Sequence, residues 1–272
     1  MKIAQFYDKE SIRLGIIDDT GLIPCDFKGD MIDFIKKRPD CTPSGKAIAL
    51  DSIILAPPVS SPSKIVAIGL NYKDHIRESK GEVPKFPLIF AKFPSSLIGH
   101  KDLITWDVNL TKKVDFEAEL AVIIGKRVHK CSETEVMDAI FGYTCANDVS
   151  ARDLQFGDGQ WVRGKSLDTF CPLGPWITTA DDIPDPHSLG IRCWLNGHIM
   201  QDSTTRMLIF KLPELISFLS HNFTLSPGDI ILTGTPHGVG TFREPSVYMK
   251  DGDEVVVEIE GIGRLVNVCR TM

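Results

Sequence analysis

A chain of 272 residues, 43% of them hydrophobic and 24% charged, has enough apolar material for one large core or a large and a small one, which excludes a disordered or fibrous polymer. Its net charge of −6 and pI of about 5.7 argue against nucleic acid as a partner, because phosphate backbones attract basic surfaces. No apolar run reaches the ~18 residues of a membrane span. The opening MKIAQFYDKE carries no apolar signal core and makes a poor transit sequence, so a cytoplasmic protein is expected.

In chain order, KIAQFY and IRLGII read as strands around a DKES turn. DDTG makes a second turn, and Asp30 to Lys37 suggests a short amphipathic helix. The Pro/Ser-rich stretch Ala56 to Lys64 reads as a linker between a small N-terminal α/β domain (1–60) and a main domain (61–272). KIVAIG is an apolar strand, and LNYKDHIRES a loop entering a helix. Val114 to Gly125 reads as one long strand, Ser132 with Glu135 as a capping box, and FGYTCAND as another strand. Asn196-Gly197 is a type I′ hairpin signal. Pro213 opens a helix whose apolar face holds Leu215, Ile216, Phe218 and Leu219, and the tail is two strands about a glycine turn. Many strands with few short helices imply a β-rich α+β fold, not a doubly wound one. The cysteines (25, 41, 131, 145, 171, 193 and 269) are odd in number and form no CxxC pair, so reduced thiols are expected.

Strand alternation places Val114, Phe116, Ala118 and Leu120 on one face and Asp115, Glu117 and Glu119 on the other. The strand then turns wholly apolar as AVIIG, the mark of a buried strand. Buried carboxylates must be paired or bind a metal, and two or three hard oxygen donors suit Mg²⁺, Mn²⁺ or Ca²⁺ rather than zinc. Taken alone, the acids read first as a solvated edge. Asp148 ends an apolar run and could point into a cleft, or cap the next helix, the commoner role. His75 and Glu78 at i,i+3 suit a general base with an orienting carboxylate, although an exposed helical ion pair explains the spacing as well. Lys165, in RGKSLD, could hold a substrate carboxylate or be solvated. Thr233 to Gly240 (TGTPHGVG) permits close backbone approach to a ligand or forms a flexible turn. His100, His187 and His237 have no evident partner.

The ordered blocks GLNYKDHIRES, PLIFAKFPSSLIGH, VDFEAELAVIIGKR, GYTCANDVSARDLQ, RGKSLDTFCPLGPWI and LSPGDIILTGTPHGVG resemble the fumarylacetoacetate hydrolase superfamily, from about Lys64 to the C-terminus. The resemblance implies a mixed β-roll, usually dimeric. It implies Mg²⁺ or Mn²⁺ on Glu117, Glu119 and Asp148, and a His75–Glu78 pair on a lid that activates water in the hydrolases. It also implies Lys165 as a catalytic residue, with Arg152, Gln155 and Thr235 against substrate. Fumarylacetoacetase draws a further acidic ligand from the GLNY region, where this chain offers Asn71. The stretch between Gln155 and Lys165 varies among relatives and is expected to influence substrate choice.

The expected chemistry is metal-stabilised enolate formation on a small 2-oxo or 2,4-dioxo acid. A C–C hydrolase of acylpyruvate type or an oxaloacetate decarboxylase comes first. A keto–enol tautomerase, a 2-hydroxyhepta-2,4-diene-1,7-dioate isomerase or a ureidoglycolate lyase is the alternative. A catalytically silent metal-binding dimer would not need His75, Glu78 and Lys165 together, and a two-metal phosphohydrolase would need more ligands than one carboxylate set.

Overall fold

A computed structural model describes residues 1–9, 11–39 and 41–272. The chain is strand-rich α+β, as the spacing of its short apolar runs predicts. Strands Lys2–Asp8 and Ser11–Asp18 flank the DKES turn, of which Glu10 lies outside the described residues. Helix Met31–Lys37 starts one residue later than expected because Asp30 is its cap, its side chain accepting from Asp33 N.

Among the described residues the largest sheet runs through Ala118–Ile124, buried along its whole length. This strand runs antiparallel to Ile140–Asn147 on one side and Ile230–Leu232 on the other. The N-terminal strand Lys2–Asp8 joins the same sheet through Cys171–Thr179. A second, five-stranded sheet contains the hairpin Gly190–Leu195/His198–Thr204 and the tail strands Glu254–Ile259 and Gly263–Thr271. Asn196 and Gly197 have φ of 51° and 78°, the left-handed pair a type I′ turn requires. The capping box of Ser132 and Glu135 forms. Helix Leu212–Asn222 buries Leu212, Leu215, Ile216 and Leu219, while Phe218 stays half-buried and stacks on exposed Phe86.

Three expectations change. The strand from Val114 is interrupted: it pairs as Val114–Asp115, then resumes at Ala118–Ile124. At the break, Phe116 N donates to its neighbour Asp115 Oδ1, and Glu117 N to Asn147 Oδ1, so side chains take the amides that a ladder would use. The Pro/Ser stretch is packed, with Val59 fully buried and Gln5 Nε2 donating to Pro57 O and Ser60 Oγ. Cys25 and Cys41, expected as thiols, are disulfide-bonded with Cα atoms 5.8 Å apart. Asp26 N donates to Thr42 O and Ser44 N to Pro24 O, and this backbone pairing brings together two cysteines that lie 16 residues apart and carry no sequence signature. The other five remain free, all but Cys131 buried.

Candidate metal centre and active site

Strand register assembles the carboxylates. Ala118 pairs with Asn147 and Glu119 with Ala146, so the residue after the partner strand, Asp148, falls opposite Glu117 and donates its N–H to Glu117 O at 2.9 Å. Glu117, Glu119 and Asp148 are buried, and each presents an oxygen within 4.8 Å of the others'. The cap role for Asp148 is not realised: helix Arg152–Gly157 begins after Ala151, without a side-chain cap. Asp115 shares the acidic face but turns away from the triad, accepting from Arg152 Nε at 2.9 Å and from the amides of Gly240 and Thr241.

Cations interleave with these acids. Lys165 Nζ bridges Glu117 Oε2 at 2.7 Å and Asp148 Oδ2 at 2.6 Å. Arg152 Nη1 reaches Glu117 Oε1 at 2.7 Å and donates to Gln155 Oε1 at 3.0 Å, while its Nη2 is buried with no partner among the described residues. Lys92, passed over in the sequence, buries its ammonium on Asp148 Oδ1 at 2.5 Å. A lysine inside the otherwise apolar LIFAK was the available signal, since a buried lysine needs a paired anion. Gly164 lets the two short helices of this region cross: a Cβ there would lie 2.6 Å from Gln155 N.

Glu119 differs from its neighbours. Its hydrogen-bond donor is the Gly234 amide, at 2.7 Å, and no cation pairs with it among the described residues. Burial, then the charges of Asp148 and Glu117, push its carboxyl well above the usual range. Burial acts the same way on Glu117, but Lys165 and Arg152 outweigh it and hold that carboxyl low. Burial would lower the Lys165 ammonium, yet Asp148 and Glu117 raise it. Around the cavity four buried carboxylates thus meet three buried cations. The buried Glu119 without a cation, the all-oxygen donor set and donor atoms within 4.8 Å of one another fit one hard divalent ion.

The TGTPHGVG loop sends three glycine amides to three carboxylates. Gly234 donates to Glu119, Gly238 to Glu78 Oε1 at 2.8 Å, and Gly240 to Asp115 Oδ1 at 2.8 Å. It is a built part of the site, not a loose turn. Thr235 Oγ1, on the same loop, accepts from Gln201 Nε2. His75 is buried, unlike an exposed ion-pair member; its Nδ1 lies 3.1 Å from Glu78 Oε2 and its ring packs on Phe242. Asn71 clamps backbone instead of facing the triad, donating to Phe210 O and Thr233 O. His100, His187 and His237 lie elsewhere: His100 Nδ1 accepts from Val266 N, His187 Nε2 accepts from Leu212 N, and His237 Nδ1 lies 3.0 Å from Asp74 Oδ2.

Seven of the nine candidate residues (His75, Glu117, Glu119, Arg152, Gln155, Lys165 and Thr235) line one cavity of about 70 Å³; Glu78 stands behind it through His75 and Asp148 through Lys165. Ile68, Leu70, Phe90, Phe156, Trp161 and Phe242 complete the wall.

The profile of the fumarylacetoacetate (FAA) hydrolase C-terminal family matches residues 64–270. The chain is 51% identical over 211 residues, 77% of this chain and 67% of the relative, to the mitochondrial oxaloacetate tautomerase Fahd2a of Rattus norvegicus. It is 44% identical to the mitochondrial oxaloacetate tautomerase fahd2 of Xenopus laevis, over 98% of this chain and 89% of that one. Among solved structures it is similar to the 2-hydroxyhepta-2,4-diene-1,7-dioate isomerase of Mycobacterium marinum, with a TM-score of 0.84, 34% identity, and coverage of 100% of this chain and 98% of that one. The mitochondrial names of these relatives overturn the expectation of a cytoplasmic protein. With the profile spanning most of its length and a relative of 44% identity covered almost end to end, the chain belongs to the fumarylacetoacetate hydrolase superfamily.

Proposed function

We propose that this protein is a divalent-metal-dependent keto–enol tautomerase of small 2-oxo diacids of the oxaloacetate type. The observation that carries the proposal is that a buried carboxylate triad and a buried His75–Glu78 pair open on one small cavity. Relatives at 51% and 44% identity named as oxaloacetate tautomerases favour a proton shift over the C–C hydrolysis or decarboxylation that the sequence put first.

Glu117, Glu119 and Asp148 would hold the ion, Mg²⁺ or Mn²⁺ by their oxygen-only donor set. When bound, the ion supplies Lewis-acid charge for the negative charge that develops on the 2-oxo group. With Nδ1 held by Glu78, His75 Nε2 is the nitrogen left to take a proton from one end of the keto–enol system and return it at the other. The Lys165 ammonium, beside Glu117 and Asp148, steadies the enol oxygen. Arg152 Nη2, buried and unpaired among the described residues, is the donor for a substrate carboxylate; Gln155 and Thr235 orient substrate beside it. The apolar wall excludes bulk water, which favours proton return over hydrolysis.

The test follows decay of the ultraviolet absorbance of enol-oxaloacetate, with pyruvate release and acylpyruvate cleavage assayed in parallel. Acceleration of enol decay by Mg²⁺- or Mn²⁺-loaded protein, lost on chelation and restored by metal, supports the reading. Faster acylpyruvate cleavage or pyruvate release than enol decay would replace it with a hydrolase or decarboxylase. We also propose a homodimer: Phe93, Leu103, Val108 and Leu110 are each exposed apolar side chains that an interface would cover, and light scattering should report twice 30.1 kDa. We propose the boundary near residue 60 as the edge of the family match, which begins at residue 64, and not as a break in packing, since strand Lys2–Asp8 joins the main sheet.

A further inference from the structure

Gly69, which ends strand Ile65–Gly69, does not have the positive φ that calls for glycine. Its requirement comes from a side chain instead. A Cβ at position 69 would lie 2.4 Å and 3.0 Å from two ring carbons of Trp161. The indole is therefore laid directly on the strand backbone. Its other neighbour is Phe90, edge-on at 5.4 Å, and Phe90 in turn lies under the Lys165 ammonium, 5.2 Å from the ring centroid. Phe90 thus stands between Trp161 and the charged floor. Lys165 N donates to Trp161 O at 3.1 Å, so the indole sits at the start of the short helix that carries Lys165. The cavity they line, about 70 Å³, is far below the roughly 300–1,000 Å³ of drug-sized ligand sites.

We infer that Trp161, seated on Gly69, is the specificity-determining wall that limits the length of the acid this site accepts. The inference rests on the keto-acid reading above and deepens it. An acid whose 2-oxo carboxylate end lies at the triad extends away from Glu117 and Asp148 and meets the Phe90–Trp161 edge. Each further methylene must then displace the indole, and Gly69 has already given up its own side chain to admit that ring. Arg163, two residues on from Trp161, is held by Asp158 and offers no free partner to the distal carboxylate of a longer diacid.

The test is titration calorimetry of the Mg²⁺-loaded chain with oxalate, which reaches only the chelating end, and with the six-carbon 2-oxoadipate. Wild type, Trp161→Ala and Trp161→Phe are compared. Trp161→Ala should bind 2-oxoadipate at least about tenfold more tightly than wild type, the scale of one methylene in a shaped pocket, with oxalate affinity unchanged. Trp161→Phe shortens the same wall without removing it, so its gain should be smaller and in the same direction. A gain graded with ring size therefore separates a wall from a general loosening, and Trp161→Phe keeps the test decisive if Trp161→Ala folds poorly. An unchanged ratio of the two affinities, with oxalate still bound, overturns the inference and leaves the proposed function standing. Absence of oxalate binding to the wild type would overturn both.

Discussion

At the floor of the cavity, Glu117, Glu119 and Asp148 come from paired strands and their ends, and nearly every oxygen is fixed by a lysine, an arginine or a glycine amide. At the rim, Phe156, Trp161 and Phe242 come from short helices and loops. Phe156 is 61% exposed, and a Cβ added at Gly157 or Gly159 would meet nothing within 4 Å. The floor is over-determined, while the rim is open around Phe156 and anchored at Trp161 by Gly69. That division suits an enzyme whose chemistry is held constant by strand register while its substrate range is set by segments free to change.

Breaking the floor should have the largest effects. Glu119→Ala removes one carboxylate of the triad. It should lower metal affinity by more than the roughly 10–100-fold cost of an outer-shell change, with turnover falling in parallel; metal titration beside a rate assay checks this, and a variant that binds metal normally would remove Glu119 from the site. His75→Ala leaves the carboxylates in place. It should reduce kcat by about 10²–10⁴ with metal affinity unchanged, and Glu78→Ala should do less, because His75 keeps its ring nitrogens. Equal rates for His75→Ala and wild type would return that residue to a structural role.

Lys92→Met tests whether the floor is built as tightly as its contacts imply. Both partners of the Lys92–Asp148 pair are fully buried, so removing the ammonium leaves Asp148 Oδ1 bare while Lys165 still holds Oδ2; the cost without metal should stay below the roughly 3–5 kcal/mol of a wholly unpaired buried charge. A divalent ion should restore part of that loss, because it neutralises Asp148. Thermal melts with and without Mg²⁺ read it directly, and unchanged melting in both conditions would contradict the pairing.

The smallest effect lies away from both floor and rim. Burial, followed by the Lys101 charge, lowers His100 to about 4. The folded chain keeps this imidazole neutral where the unfolded chain, at about 6.5, takes up a proton. Its contribution is therefore complete above pH 6.5 and is lost as pH falls towards 4. His100→Gln should flatten the stability profile across that window without altering turnover at neutral pH; an unchanged acid slope would contradict the shift.

Local spacing determined a good deal by itself. Period-two alternation put Glu117 and Glu119 on one face, the i,i+3 step put His75 by Glu78, Asn-Gly fixed a hairpin, and the glycines of TGTPHGVG marked a close backbone approach. Each is a statement about neighbours within a few residues, which backbone geometry enforces regardless of the rest of the chain. What local spacing could not yield depends on partners far along the chain. Asp148 becomes a member of the triad rather than a helix cap because register sets it opposite Glu117. Lys92 is 56 residues from the carboxylate it neutralises, and Cys25 meets Cys41 only through paired backbone. Asp115, identical to its neighbours by alternation, turns to Arg152 and the Gly240 amide because those groups reach it first. Alternation assigns a face; only the packed sheets decide which charges share it, because a buried charge is tolerated only where the whole fold brings it a partner.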